Sequence, residues 1–397
     1  MSERALSAVN VPTSRTPSPV RGVPTPTDPD DRGSGGAPMV QLLTPAGTRV
    51  HDSEYDLEFT VEELLAFHRD MVLVRRFDTE ATALQRHGEL GIWAQVLGQE
   101  AAQIGAGHAL KPQDFVLPTY REHGVAWCRG VDPVNLLGLF RGVDGGDWDP
   151  HDHNIALYTI VIGAQVLHAC GYAMGMQRDG VVGTGDPDVD AAVLAHFGDG
   201  ASAQGDVNEA MVFAASFNAP VVFFCQNNQW AISVPTTTQS TVPLYQRSAG
   251  FGFPGVRVDG NDVLASYAVT KAALQRARSG EGPMLIEAFT YRMGAHTTTD
   301  DPTRYRTAAE VEEWQRRDPI ARLESYLRSE DLIDDSWLAE LAEEADELGS
   351  RLRTACKALP DPDPLSPFGY VHAELPAELA AQRDEYAAYL ASFEDAR

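Results

Sequence analysis

Four apolar runs of strand length constrain this chain more than any other feature. They are "AAVLAHFGDG" (191–200), "APVVFFCQNN" (219–228), "GVRVDG" (255–260) and "PMLIEAFTYR" (283–292). Apart from "GVRVDG", none alternates polar with apolar, so both faces of those strands are expected to be buried. Helix-like stretches at 202–218 and 262–279 lie between them, and "DFVLPTYREHG" (114–124) reads as a further short strand running into a polar loop. Doubly buried strands alternating with helices specify an α/β fold with a doubly wound parallel sheet.

The flanks are helical. "TVEELLAFHRDMVLVRRFDTEATALQRHGEL" (60–90) has apolar residues at helical spacing, with Thr60 as N-cap and Glu63 three residues on. Segment 98–110 reads as a second helix. "VIGAQVLHACGYAMGMQ" (161–177) is nearly all small or apolar and is expected as a buried helix. Beyond Asp301 the chain becomes helical and acidic. Residues 1–38 are dominated by Pro, Ser, Thr and Gly and have little to bury, so a disordered tail is expected. The expected organisation is therefore a tail over 1–38, an α/β domain over 39–302 and a helical extension over 303–397.

Charge and cysteine usage exclude several classes. The net charge of -26 leaves no basic footprint for nucleic acid or an anionic membrane. No apolar run approaches the length of a membrane span. The four cysteines, at 128, 170, 225 and 356, form no CxxC or Cys/His cluster. Reduced thiols and a cytoplasmic location are the expectation. The 250–255 stretch "GFGFPG" satisfies GxGxxG, but Pro254 interrupts it and a strand follows, so it reads as a loop rather than a dinucleotide site. No GxxxxGK[ST] occurs. A noncatalytic scaffold with an acidic surface is the other class to weigh.

Two acceptor side chains stand where a parallel sheet gathers ligands. Asp199 follows one apolar run and Asn228 ends the next; the 29 positions from 199 to 228 suit one loop, one helix and one strand. Ligands of open α/β sheets bind at the carboxyl ends of strands, near a switch in strand order. A carboxylate and an amide oxygen are hard ligands suited to Mg2+, which commonly takes further oxygens from a substrate phosphate. Gly198 and Gly200 allow close backbone approach, and the N–H groups of the next turn can face an anion. The pattern describes a diphosphate bridged to the protein by a metal.

The ordered set "GQEAAQIGAG", "PTYREHG", "IGAQVLHACGYAMG", "GDGASAQGDVNEAMVFAASFNAPVVFFCQNNQWAIS", "VRVDGND" and "IEAFTYRMGAHTTTDDPTRYR" resembles the alpha subunit of the thiamine-diphosphate-dependent 2-oxoacid dehydrogenase component. The likeness spans roughly residues 40–385. It implies the thiamine-diphosphate-binding fold, with Asp199, Asn228 and the Trp230 carbonyl as Mg2+ ligands. Gly198, Gly200, Ala201 and Ser202 would line the diphosphate. Tyr120 and Arg121 would hold it from the other side, where the planar arginine fork suits phosphate oxygens. Ile160 and Ile162 match the loop under the cofactor rings. His296 is the implied catalytic histidine beside the thiazolium; an unperturbed imidazole suits proton transfer near neutrality. Arg292, Asp300, Asp301, Tyr305 and Arg306 are implied to hold that loop and to serve docking of the lipoyl carrier.

The resemblance also implies partners. The cofactor acts as electron sink while carbon dioxide leaves a small 2-oxoacid, and the acyl group passes to lipoyl-lysine of an acyltransferase component. An activating glutamate belongs to the family's beta subunit, so an α2β2 heterotetramer is expected. The "NNQWAIS" and "RMGAHTTTDDPTRYR" spacings look more like branched-chain members than pyruvate members. The chain departs from animal branched-chain relatives in having Gln226 where they carry a basic diphosphate contact. Thr159 and Gln165 match a potassium loop in which Ala164 lacks the expected hydroxyl. Thr297 stands where animal relatives carry a regulatory phosphoserine. His151 and His153 are the nearest counterparts of a substrate-facing histidine.

Overall fold

The computed structural model describes residues 38–143 and 148–394. The expected tail lies outside the described residues apart from Pro38. Five strands form one parallel sheet: β1 (Phe115–Leu117), β2 (Val193–Gly198), β3 (Val221–Asn227), β6 (Gly255–Asp259) and β7 (Met284–Phe289). Their order is β1-β2-β3-β7-β6, so the last strand in sequence inserts between β3 and β6. The remaining two strands, β4 (Trp230–Ala231) and β5 (Val234–Pro235), make a small antiparallel hairpin after β3.

Alternating side chains along each strand feed two separate cores. Val193, Ala195 and Phe197 of β2 and Val221, Phe223 and Cys225 of β3 face the helices Ala164–Asp179 and Gly205–Phe217. Leu194, Val222 and Phe224 point the other way, into the core shared with Glu100–His108 and Val263–Arg278. The adjacent Phe223 and Phe224 thus serve opposite layers, and burying each contributes about 1.5–3 kcal/mol. Both faces being covered explains why the strands read as unbroken apolar runs.

Local signals place the first helix well. Val61–Arg86 begins with the expected capping box: Thr60 Oγ1 accepts from Glu63 N at 3.2 Å and Glu63 Oε2 from Thr60 N at 2.9 Å. The helix expected over 161–177 requires correction. It runs Ala164–Asp179, after Gly163 at φ +86°, and buries one stripe only: Gln165, Val166, Ala169, Cys170, Ala173 and Met176. His168, Gly171, Tyr172 and Arg178 face outward. Glycine and alanine made the segment look uniformly apolar, although the chain packs just one side of it.

The boundary expected at 302/303 does not divide the core. Leu323 and Leu327 of helix Pro319–Ser329, with Leu341, Leu348 and Leu352 of helix Asp335–Ala358, join the same cluster as Phe67, Met71 and Val74 of the first helix. A buried guanidinium ties this region to the sheet edge: Arg322 Nη1 donates to Asp259 Oδ2 at 2.9 Å, and Arg322 Nη2 donates to the Leu43 carbonyl. Helix Ala377–Glu394 belongs to none of the buried clusters and exposes Tyr386, Tyr389 and Phe393.

Candidate active site

Strand register fixes the centre of the site. Gly198 pairs with Gln226 in the parallel β2–β3 ladder, so Asp199 and Asn228 leave neighbouring strands at the same sheet edge. Both line one cavity of about 230 Å³. Its walls come from four strand ends: Thr119, Tyr120, Arg121 and Glu122 after β1, Gly198 to Ala201 at the end of β2, Gln226, Asn228, Trp230, Ala231 and Ile232 at and after the end of β3, and Arg292 and His296 after β7. Thr159, Ile162, Gly163 and Gln165 complete it.

The two loops around Asp199 interlock. The chain turns into a short 3-10 helix, Gly200–Ala203, with Ser202 Oγ donating to the Asp199 carbonyl at 2.6 Å. A Cβ on Gly200 would stand 2.7 Å from the Ala231 Cβ, so glycine is required there for loop closure. The β4–β5 hairpin then returns Thr236 and Gln239 to the site. Thr236 Oγ1 and Gln239 Nε2 donate to Asp199 Oδ2 at 3.0 and 3.2 Å. Burial pushes the Asp199 carboxyl up, opposed by these hydrogen bonds and by the Arg292 charge.

Asn228 and Gln226 share a partner. Asn228 Nδ2 and Gln226 Nε2 both donate to Gln99 Oε1, at 3.0 and 2.9 Å. Asn228 Oδ1 accepts from Trp230 N at 3.3 Å, and the Trp230 carbonyl accepts from Arg292 Nη1 at 2.6 Å. The buried Gln226 Oε1 has no hydrogen-bond partner. A buried carboxylate held by neutral donors, an amide oxygen, a backbone carbonyl and an unpaired glutamine oxygen suit a hard divalent cation. Tyr120 and Arg121 line the same cavity.

The loop after β7 is held rigidly. Arg121 Nη2 donates to the His296 carbonyl at 2.8 Å and lies 3.4 Å from His296 Nδ1. His296 N donates to Asp300 Oδ2 at 3.0 Å, and the Tyr305 hydroxyl donates to the same carboxylate. Arg306 donates to the carbonyls of Arg292, Met293 and Gly294. Burial, then the Arg121 and Arg292 charges, lower the His296 pKa to about 3, so the imidazole is neutral near pH 7. Asp301 lies apart from the cavity, where it caps a short turn through Thr303 N at 3.2 Å.

Several expected residues fall elsewhere. Ile162 lines the cavity, whereas Ile160 is 63% exposed and outside its lining, because Gly163 turns the chain between the loop and the helix. Ser202 is buried behind the turn, not in the wall. Thr159 and Gln165 reach the wall; Gln165 Nε2 donates to the His196 carbonyl at 2.8 Å and its Oε1 is unpartnered. His151 is exposed, and His153 Nδ1 lies 3.1 Å from the Arg129 carbonyl, away from the cavity. The 250–255 stretch ends a short helix at Phe251, turns at Gly252 and opens β6 at Gly255, the reverse of a dinucleotide motif.

Sequence reading missed Gln99, Glu122, Thr236 and Gln239. The first two stand inside "GQEA" and "TYREHG", where a polar residue within a buried segment is the available signal. Glu122 is buried on the cavity wall; burial raises its pKa against hydrogen bonds from Thr119 N (2.6 Å) and Oγ1 (2.5 Å). Thr236 and Gln239 carry no such signal, since only the hairpin brings them back.

Comparison with known proteins identifies the family. A sequence model described as dehydrogenase E1 component matches residues 68–357. The chain is 44% identical over 353 residues to a 3-methyl-2-oxobutanoate dehydrogenase subunit alpha of Mycobacterium tuberculosis, covering 89% of this chain and 94% of that protein. It is 36% identical over 353 residues to a pyruvate dehydrogenase E1 component subunit alpha of Staphylococcus epidermidis (88% and 92% covered) and 39% identical over 345 residues to one of Acholeplasma laidlawii (86% and 98%). The chain therefore belongs to the dehydrogenase E1 component family, as an alpha subunit of a thiamine-diphosphate-dependent 2-oxoacid dehydrogenase.

Proposed function

We propose that this chain, paired with a beta subunit, carries out oxidative decarboxylation of branched-chain 2-oxoacids of the 3-methyl-2-oxobutanoate type. The acyl group then passes to lipoyl-lysine of an acyltransferase component. The observation that carries this reading is the meeting of Asp199, Asn228, Arg121 and His296 in one cavity at the carboxyl edge of the sheet. Asp199, Asn228 and the Trp230 carbonyl would hold Mg2+. Tyr120, Arg121 and the turn at Gly200–Ala201 would hold the diphosphate, and Ile162 the rings. When bound, thiamine diphosphate supplies the electron sink for decarboxylation. The chain orients it, excludes water and places a neutral imidazole, His296, at the reacting end. Asp300, Tyr305 and Arg306 brace that imidazole, and with Asp301 their loop is the surface offered to the lipoyl carrier.

Identity to the branched-chain relative exceeds that to the pyruvate relatives, and Ile162, Ala231 and Ile232 give the cavity an apolar side. The exposed Ile160, Val161 and Ile232 near the cavity form an apolar rim suited to a beta subunit. An α2β2 assembly fits this surface. No helix among the described residues is long and apolar enough to cross a membrane.

The reading is tested by steady-state decarboxylation with the reconstituted alpha–beta pair. Apolar pocket contacts discriminate by about 1–3 kcal/mol per methylene, so kcat/KM for 3-methyl-2-oxobutanoate should exceed that for pyruvate by about tenfold or more. A preference for pyruvate overturns the substrate, and full activity of the chain alone overturns the need for a partner.

A further inference from the structure

Gln99 lies in no wall of the cavity, yet it governs two residues that do. It is fully buried at the start of helix Glu100–His108. The preceding Gly98 sits at φ +94°, where an added Cβ would stand 2.5 Å from the Tyr291 carbonyl oxygen. Glu100 Oε2 accepts from Gly98 N at 2.9 Å, and Thr290 Oγ1 donates to the Gly98 carbonyl at 2.9 Å. This turn presses Gln99 against the end of β3. Gln226 lies in β3 and Asn228 just past its end, where the chain turns and Asn228 N donates to the Gln226 carbonyl at 3.1 Å. Both side-chain amides donate to the single oxygen Gln99 Oε1.

One backbone group fixes the orientation of all three amides. Trp230 N–H donates to Asn228 Oδ1, which directs Asn228 Nδ2 to Gln99. Gln99 must then present its oxygen, and that oxygen takes the Gln226 N–H as well. Reversing Gln99 alone would set its NH2 against two others; reversing Gln226 alone would oppose two carbonyl oxygens. Reversing all three would turn the Asn228 NH2 onto the Trp230 N–H. Gln226 Oε1 is consequently left over, buried and unpartnered, on a residue that lines the cavity.

We propose that Gln99 is a positioning residue that holds Asn228 Oδ1 and Gln226 Oε1 toward the cavity as oxygen donors for the divalent cation. This rests on the reading of Asn228 as a metal ligand. It also changes the part given to Gln226, whose N–H is engaged by Gln99 and whose free oxygen suits the cation rather than the diphosphate.

The test uses the assembled alpha–beta pair and reads the Mg2+ concentration that half-saturates thiamine diphosphate binding, followed by tryptophan fluorescence without substrate. Removing an outer partner of a metal ligand typically weakens metal binding by about ten- to a hundredfold, and Gln99→Leu should raise the half-saturating Mg2+ by that factor with assembly unchanged. Gln99→Glu, which keeps acceptor oxygens, should restore affinity near the wild-type value. If Gln99→Leu fails to assemble, Gln99→Met is read in its place. An unchanged Mg2+ requirement in the apolar variant, or equal weakening in Gln99→Glu, overturns the proposal. Asn228→Ala separates the two readings: if it leaves Mg2+ binding intact, the metal assignment itself fails, whereas loss there with a silent Gln99→Leu removes the role of Gln99 alone.

Discussion

Arg292 Nη1 donates to the Trp230 carbonyl at 2.6 Å, and its Nη2 donates to the Ile232 carbonyl at 2.8 Å. One buried guanidinium thereby joins the loop after β7 to the hairpin after β3. Lysine cannot span both carbonyls from a single ammonium. Arg292→Lys should keep the charge yet raise the half-saturating Mg2+ and lower kcat by about tenfold or more, for a loss near 1.4 kcal/mol. A lysine variant with wild-type metal titration and turnover would show the clamp to be dispensable.

His296 should not titrate near neutrality. Its pKa is lowered from 6.5 to about 3, chiefly by burial and then by Arg121 and Arg292. A lowered histidine pKa means the folded chain binds fewer protons than the unfolded one between those values. Its contribution therefore weakens the fold as pH falls through that window. In the cofactor-free pair the imidazole carbon and proton shifts should stay constant from pH 8 to 5; a midpoint near 6.5 would contradict the geometry. His296→Ala should cut kcat by about 10²–10⁴ if the ring transfers a proton.

His196 offers a stability test remote from the chemistry. It is fully buried, packs on Phe224 with ring centroids 4.8 Å apart, and neither ring nitrogen has a partner. Burial lowers its pKa to about 3. Replacing an unpaired polar group by an apolar one of similar size stabilises by about 1 kcal/mol. His196→Leu should add about 2 kcal/mol more at pH 5, where the unfolded wild-type chain gains a proton the folded one cannot accept. Urea midpoints at pH 8 and pH 5 read this directly; equal shifts at both values would refute the pH dependence.

Ile160 and Ile162 should separate assembly from catalysis. Ile162 lines the cavity and Ile160 does not. Ile162→Ala should raise the half-saturating thiamine diphosphate and lower kcat while the pair stays associated. Ile160→Ala should weaken association, seen in sedimentation, with kcat of the assembled pair retained. The opposite pattern would assign the rim and the wall wrongly.

Gly200 and Ala231 should show reciprocal rescue. A Cβ at 200 would approach the Ala231 Cβ to 2.7 Å, displacing the two loops that carry Asp199 and Trp230. Gly200→Ala should lower cofactor affinity, and adding Ala231→Gly should recover most of it. Failure of the double variant to improve on the single one would place the cause elsewhere.

Much of the sheet was legible because burial on both faces leaves a local trace. The runs containing Val193–Gly198 and Val221–Asn227 are mostly apolar on both faces of the pleat, and the glycine and asparagine that end them are visible as departures. The helix at 164–179 was overread, since composition cannot say which side of a small-residue helix finds a partner. The C-terminal helices read as an extension for a related reason: their acidic faces dominate the composition, while the few buried leucines, Leu323 on one helix and Leu341 and Leu352 on the next, become core only against other helices, Val61–Arg86 among them. Arg292 and His296 were assigned through resemblance; nothing in their own neighbourhood reveals that they face Asn228.

The sequence alone determined that successive parallel strands deliver Asp199 and Asn228 to one edge, because parallel pairing brings strand ends together whatever lies between them. Only the tertiary structure decided that β7 would insert beside β3, carrying Arg292 and His296 to that edge, and that Gln99 would hold amides 127 and 129 positions away. Periodicity reports what each segment buries, whereas contacts between distant segments depend on which strand becomes whose neighbour.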